Sequence, residues 1–267
     1  MAGCAGIIVF GSLMAAMFVN QQFLQNVLGY STIEAGAAIL PAVVFMVIVA
    51  PRSAKLVQQH GSRQTLMSGQ VLLLIAFVLM LLLWKDDIAY WKVALPLCFL
   101  GAGVGLAGTP SSNSLTGSVP VRRVGMASGT ADLQRDLGGA LMTSVLGALL
   151  TLGYASAMGQ AIDQSGKNVT DATQAQLQLS FASAEDLAKQ NPQYASQITA
   201  AAKQSFLDGG DWAYVGAMVA IAAGLALVFF FFPRKEREEE LRASYHAKDE
   251  SAVPAGSPQA APQESPA

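Results

Sequence analysis

The chain has 267 residues, 52% of them hydrophobic and only 13% charged, with a net charge of −2, whereas soluble globular domains carry roughly a quarter charged residues. This excludes an ordinary water-soluble domain and indicates a membrane protein, in which the distribution of charge between loops says more than the sum. The two cysteines, Cys4 and Cys98, lie far apart in apolar runs, so no disulfide framework is indicated. Two histidines, His60 and His246, build no zinc site, and no metal is expected.

A spanning helix needs roughly 17 to 25 mostly apolar residues. Six stretches qualify: 5–28, 33–50, 66–84, 88–109, about 129–154, and 214–232. Turn or charge signals separate them: Gly29-Tyr30-Ser31, Pro51-Arg52, Lys85-Asp86-Asp87, Pro110-Ser111-Ser112, and the polar stretch 155–211. The second connection carries Arg52, Lys55 and Arg63, the fourth Arg122 and Arg123, and five more cations follow the last span. The first connection has no basic residue, and in the third Asp86 and Asp87 offset Lys85 and Lys92. This alternation predicts that both termini and the second and fourth connections are cytoplasmic.

Residues 155–211 therefore form a long extracytoplasmic loop. Residues 174–189 and 193–207 have helix-forming composition and are separated by Asn191-Pro192, which predicts one or two surface helices. Asn168-Val169-Thr170 matches a glycosylation sequon, a motif with a high false-positive rate. Residues 1–232 are read as the six-span unit and 233–267 as a cytoplasmic tail, disordered after about 250, where Pro, Ala, Ser and Gln offer nothing to build a core from.

Three clusters carry candidate chemistry. Asn20, Gln21 and Gln25 can share one broad helical face and line a polar cavity, or else pair across helices or sit at headgroup level. In the fifth stretch Asp132 and Asp136 lie one turn apart with Arg135 on the same side. An intramembrane carboxylate is costly and marks a functional site. Residues 137–154 alone are long enough to span, however, so the acidic turn can equally sit at the interface, stabilising the helix N-terminus while Arg135 snorkels. The run Gly101 to Gly108 has the look of a phosphate-binding glycine loop, but it falls late in a spanning helix and reads as close helix packing, as do Gly138, Gly139 and Gly147. No nucleophile with a base, no metal cluster and no phosphate loop appears, so an enzyme is not expected.

Several local patterns together resemble the fourteen-span drug:H+ antiporters of the major facilitator superfamily. Gln22 to Ser31, followed by Glu34-Ala35-Gly36 and Leu40-Pro41, is similar to the junction after that family's ninth helix. Val119-Pro120, Gly125 to Gly129 and Arg135 to Ala140 are similar to the entry into its thirteenth. The resemblance implies an all-α bundle of six transmembrane helices, one half of a major facilitator fold, in a bacterial cell membrane. It implies part of a proton-coupled exporter of small, often cationic or amphipathic compounds, working by alternating access around a midplane site. The expected partners are lipid, the drug-like substrate and a missing N-terminal half. No cofactor beyond the proton gradient and no nucleic acid is expected. The resemblance assigns substrate or proton handling to Asp132, with Asp136 and Arg135 as its neighbours. It also likens the second connection, with Arg52, Lys55, Gly61 and Arg63, to a cytoplasmic gating loop. Ala50 stands there where a glycine is expected, and Gln58 and Gln59 where an acid is expected, which puts a gating ion pair in doubt. The alternative is a non-transporting membrane scaffold or a nonfunctional remnant of such a carrier.

Overall fold

The computed structural model describes residues 2–86, 88–116, 124–166 and 169–232. Arg122, Arg123, Asn168, His246 and the tail from residue 233 lie outside them. Every regular element among the described residues is helical: α1 (Ala2–Gln22), α2 (Thr32–Ala38), α3 (Leu40–His60), α4 (Ser62–Leu83), α5 (Tyr90–Thr116), α6 (Val124–Ser165), α7 (Asp171–Leu179), α8 (Phe181–Gln190) and α9 (Ala195–Phe231). A wider π-helical turn, Phe23–Val27, closes α1. Six segments are long and apolar enough to cross a membrane, so this is a multi-pass bundle.

The six spans are α1, α3, α4, α5, α6 and α9. The first packs along the fifth and the fourth along the second, while the third and sixth pack on each other. The third also packs along the fourth, and the fifth along the sixth. Glycines permit two of these contacts. A Cβ built on Gly101 of α5 would stand 1.9 Å from the carbonyl oxygen of Ala42 in α3, and one on Gly138 of α6 would stand 2.4 Å from that of Ile7 in α1. Lipid tails are as apolar as leucine, so helices in a membrane associate through such close backbone approach.

Several connections are shorter than the sequence suggests. The break expected at Pro51-Arg52 is absent, because α3 runs through Pro51 to His60. Proline removes one backbone donor there, and the Arg52 guanidinium donates to the carbonyl of Ile48 on the same turn. The actual corner is a single residue, Gly61, whose φ of +86° is poorly accessible to other residues. Likewise α5 passes through Pro110 to Thr116. Glu34 has a structural task, completing a capping box with Ser31 at the start of α2.

The stretch 155–211 is mostly a continuation of spanning helices, with α6 reaching Ser165 and α9 starting at Ala195. Between them, α7 and α8 complete a four-helix cap. The single helix expected over 174–189 is two, because the Ser180 side chain accepts from Ser183 N and starts a new helix. Tyr90, Trp91 and Trp212 are exposed.

Candidate functional site

The candidate site lies at the end of the bundle away from the cap, where α1, α5 and α6 converge. Asp132 and Arg135 face outward from α6, with Asp132 Oδ1 3.9 Å from Arg135 Nη1 and side chains 70% and 44% exposed. The guanidinium of Arg135 leans across to α1 and lies 4.8 Å from the centre of the Phe10 ring, a cation–π contact. Asp136 is exposed, and no cation among the described residues pairs with it. From Asp132 to Tyr154 the helix rises roughly 33 Å, at 1.5 Å per residue, about the thickness of a hydrocarbon core. Tyr154 lies at the cap end, so Asp132 stands toward the opposite end of the bundle.

Directly behind this exposed pair is an inward-facing amide that the sequence reading passed over. Gln134 is 6% exposed, and its Nε2 donates to Ser111 Oγ of α5 at 3.5 Å, the long limit of a hydrogen bond. Its Oε1 is buried with no partner. The amide lies across α1 at Gly6, where an added Cβ would fall 1.3 Å from Gln134 Nε2 and 2.5 Å from Ser111 Oγ. Gly6, Ser111 and Gln134 thus tie three spans together by one weak bond over a glycine seat. Gln134 differs from its charged neighbours only in which way its turn of α6 points.

Two more amides are wholly buried. Gln70 of α4 has neither amide atom paired, and its Nε2 lies 3.1 Å from where Gly224 of α9 would carry a Cβ. Asn20 of α1 is also 0% exposed with both amide atoms unpaired. The face proposed for Asn20, Gln21 and Gln25 divides: Gln21 is exposed and Gln25 half-buried. A step of about 100° per residue turns Gln21 out when Asn20 points in. At the cap end, Trp84 stacks on Phe23 at 4.9 Å and meets Tyr214 edge-on at 5.8 Å. This aromatic cluster joins α1, α4 and α9, and its buried indole N–H has no partner.

The residues of the expected gating loop are dispersed on helices. Arg52 and Lys55 are exposed on the end of α3. Arg63, past the Gly61 corner, donates from Nη2 to the carbonyl of Phe229 in α9 and lies 5.1 Å from that residue's ring centre. None of these three cations pairs with a carboxylate among the described residues. The same residues contain no grouping of three or more acids, histidines or cysteines suited to a metal.

The sequence model of the Major Facilitator Superfamily matches residues 1–143, from α1 into α6. The multidrug resistance protein Stp of Mycobacterium tuberculosis is 34% identical over 142 residues, 53% of this chain and 26% of that protein. The multidrug efflux pump LfrA of Mycolicibacterium smegmatis is 30% identical over 144 residues, covering 54% of this chain and 28% of that protein. The quinolone resistance protein NorB of Staphylococcus aureus is 27% identical over 145 residues, 54% of this chain and 31% of that protein. The match therefore spans between a quarter and a third of each relative's length.

Proposed function

The chain belongs to the Major Facilitator Superfamily, and from that premise we propose that its bundle is one half of a proton-coupled exporter of small, often cationic or amphipathic compounds. The family and the efflux pumps among its relatives indicate a transporter rather than an enzyme. The second half of the pathway is another six-helix bundle facing α1, α5 and α6. The proton gradient across a bacterial plasma membrane drives it, with no other cofactor. The cap lies outside and the Gly61 corner inside.

Asp132 is the carboxylate for which proton and substrate compete. The observation that supports this most is its loose pairing with Arg135, long at 3.9 Å and largely exposed. An exposed ion pair of this kind contributes about 0 to 1 kcal/mol, so a substrate cation can take Arg135's place at little cost. When a cation binds Asp132, Arg135 is left over Phe10. When a proton binds, the cation loses its counter-charge and leaves. Opening to the two sides in turn makes this an exchange of one cation for one proton. Arg135 is the internal competitor that resets the carboxylate, and exposed Asp136, one turn further on, supplies negative potential near it.

The test is Asp132→Asn in the intact transporter, with ethidium efflux followed in everted vesicles energised by a proton gradient. Loss of gradient-driven efflux at unchanged membrane abundance is expected. Efflux equal to the parent would remove Asp132 from the mechanism.

A further inference from the structure

The cap holds a half-open cavity of about 580 Å³ between the extension of α6, helices α7 and α8, and the start of α9. It lies beyond the residues matched by the family model. Met158, Ile162, Leu177, Leu187 and Ile198 supply much of its wall, and among the described residues no charged side chain lines it. Three of its polar side chains, Thr170, Thr173 and Asn191, make bonds within the wall. Thr170 Oγ1 lies 2.9 Å from Thr173 Oγ1 and accepts from Thr173 N at the start of α7, and Asn191 Nδ2 donates to the carbonyl of Leu187 at 3.0 Å. The charges of α8 point away, where Lys189 pairs with Glu185 and Asp186 at 3.5 Å on the exposed face.

Small-molecule sites are concave, run from about 300 to 1,000 Å³ and are mostly apolar. An ionic ligand would find no counter-charge among the described residues here, which is costly in apolar surroundings. We propose that the cap is a second ligand-binding site, taking an uncharged, mostly apolar small molecule.

A smaller cavity of about 260 Å³ lies on the bundle side, lined by Phe18, Gln22 and Asn26 of α1 and Thr151 and Tyr154 of α6. Tyr154 connects the two. Its hydroxyl donates to the carbonyls of Leu177 and Ser180 at 3.0 and 3.2 Å; Leu177 lines the cap cavity and Ser180 the smaller one. The site therefore stands directly above the mouth of the bundle, on the two spanning helices, α6 and α9, that continue into the cap. Its existence does not depend on proton coupling or on Asp132.

The full chain in lipid nanodiscs is photolabelled with 3-trifluoromethyl-3-phenyldiazirine, an uncharged carbene precursor, and the labelled peptides are mapped. Saturable labelling at residues 158–162 and 198–201 is expected. The uncharged competitor N-phenyl-1-naphthylamine displaces it and the anion 8-anilino-1-naphthalenesulfonate does not, while the lipid-facing residues 43–48 stay labelled in both cases. Filling the cavity with Ala161→Trp or Ala201→Trp, on α6 and α9, lowers cap labelling about tenfold, because an indole overpacks the space the ligand needs. If a filled variant loses its thermal transition, the competitor pair decides alone. Repeating the labelling in lipid-free amphipol identifies the source: a rise assigns the cavity to lipid chains in the nanodisc, and an unchanged level assigns it to free compounds. Unsaturable or absent cap labelling, or equal displacement by the sulfonate, overturns the site.

Discussion

In the bundle, helices meet backbone to backbone at Gly101 and Gly138, and the side chains enclosed between them include the amides Asn20, Gln70 and Gln134. In the cap, the helices stand apart around an apolar cavity, and the charges of α8 lie on its exposed face. The part surrounded by lipid is thus close-packed with polar groups inside, and the part beyond it is hollow and apolar inside. Each follows from its solvent. Without water there is no hydrophobic drive between helices, and association depends on close fit. In water the burial of apolar surface is itself the drive and tolerates an imperfect fit.

If that contrast is right, a single methyl group does most damage where the bundle is tightest. Gly101→Ala sets a Cβ against the Ala42 backbone, which cannot swing aside as a flexible side chain can. The cost expected is about 3 kcal/mol, at the upper end for overpacking, read as a lowered melting temperature of the purified protein. Gly147→Ala is the control, because its Cβ would meet only the Phe18 ring at 3.6 Å, an ordinary contact. Equal melting temperatures for the two variants would break the comparison.

The joint between the regions comes next. Tyr154 is 3% exposed and its hydroxyl serves two carbonyls of the α7–α8 corner. Tyr154→Phe keeps the ring and removes the donor, for a loss of about 1 to 2 kcal/mol. Because α7 and α8 pack on α6 and α9 and not along α4 or α5, hydrogen exchange is expected to quicken in α7 and α8 and to stay unchanged in α4 and α5. Faster exchange throughout would mean that cap and bundle unfold as one unit.

The six crossings could be read from the sequence because each is a long apolar run, and nothing in the fold competes with that signal. Their ends were harder to place. Pro51 and the polar residues after Tyr154 look like loop, yet α3 and α6 continue through them, because beyond the membrane a helix needs helix-forming residues and not apolar ones. The α7–α8 boundary depends on one serine cap at Ser180, a local signal easily lost in a helix-forming stretch. Within the site, Asp132 and Arg135 were legible as charges beside an apolar run. Gln134 was not, since its meaning comes from Gly6 and Ser111, far away in the chain.

The smallest effect expected concerns the outer fastening of the cap. Lys85 Nζ lies 3.9 Å from Asp211 Oδ2, and Lys203 Nζ lies 3.6 Å from Asp86 Oδ1, so the turn between α4 and α5 holds the base of α9 through two ion pairs. Their side chains are between 32% and 56% exposed, and charges in that range are largely screened by water and salt. A double-mutant cycle of Lys85→Ala and Asp211→Ala, read by thermal unfolding, is expected to give a coupling of about 0.5 kcal/mol that disappears in molar salt. The sign follows from opposite charges, and the small size from solvation that both groups retain. A coupling several times larger, surviving salt, would mean that the cap is clamped by electrostatics. Its apolar interior would then no longer be what holds it in place, and the contrast between the two regions would have to be drawn on charge instead of packing.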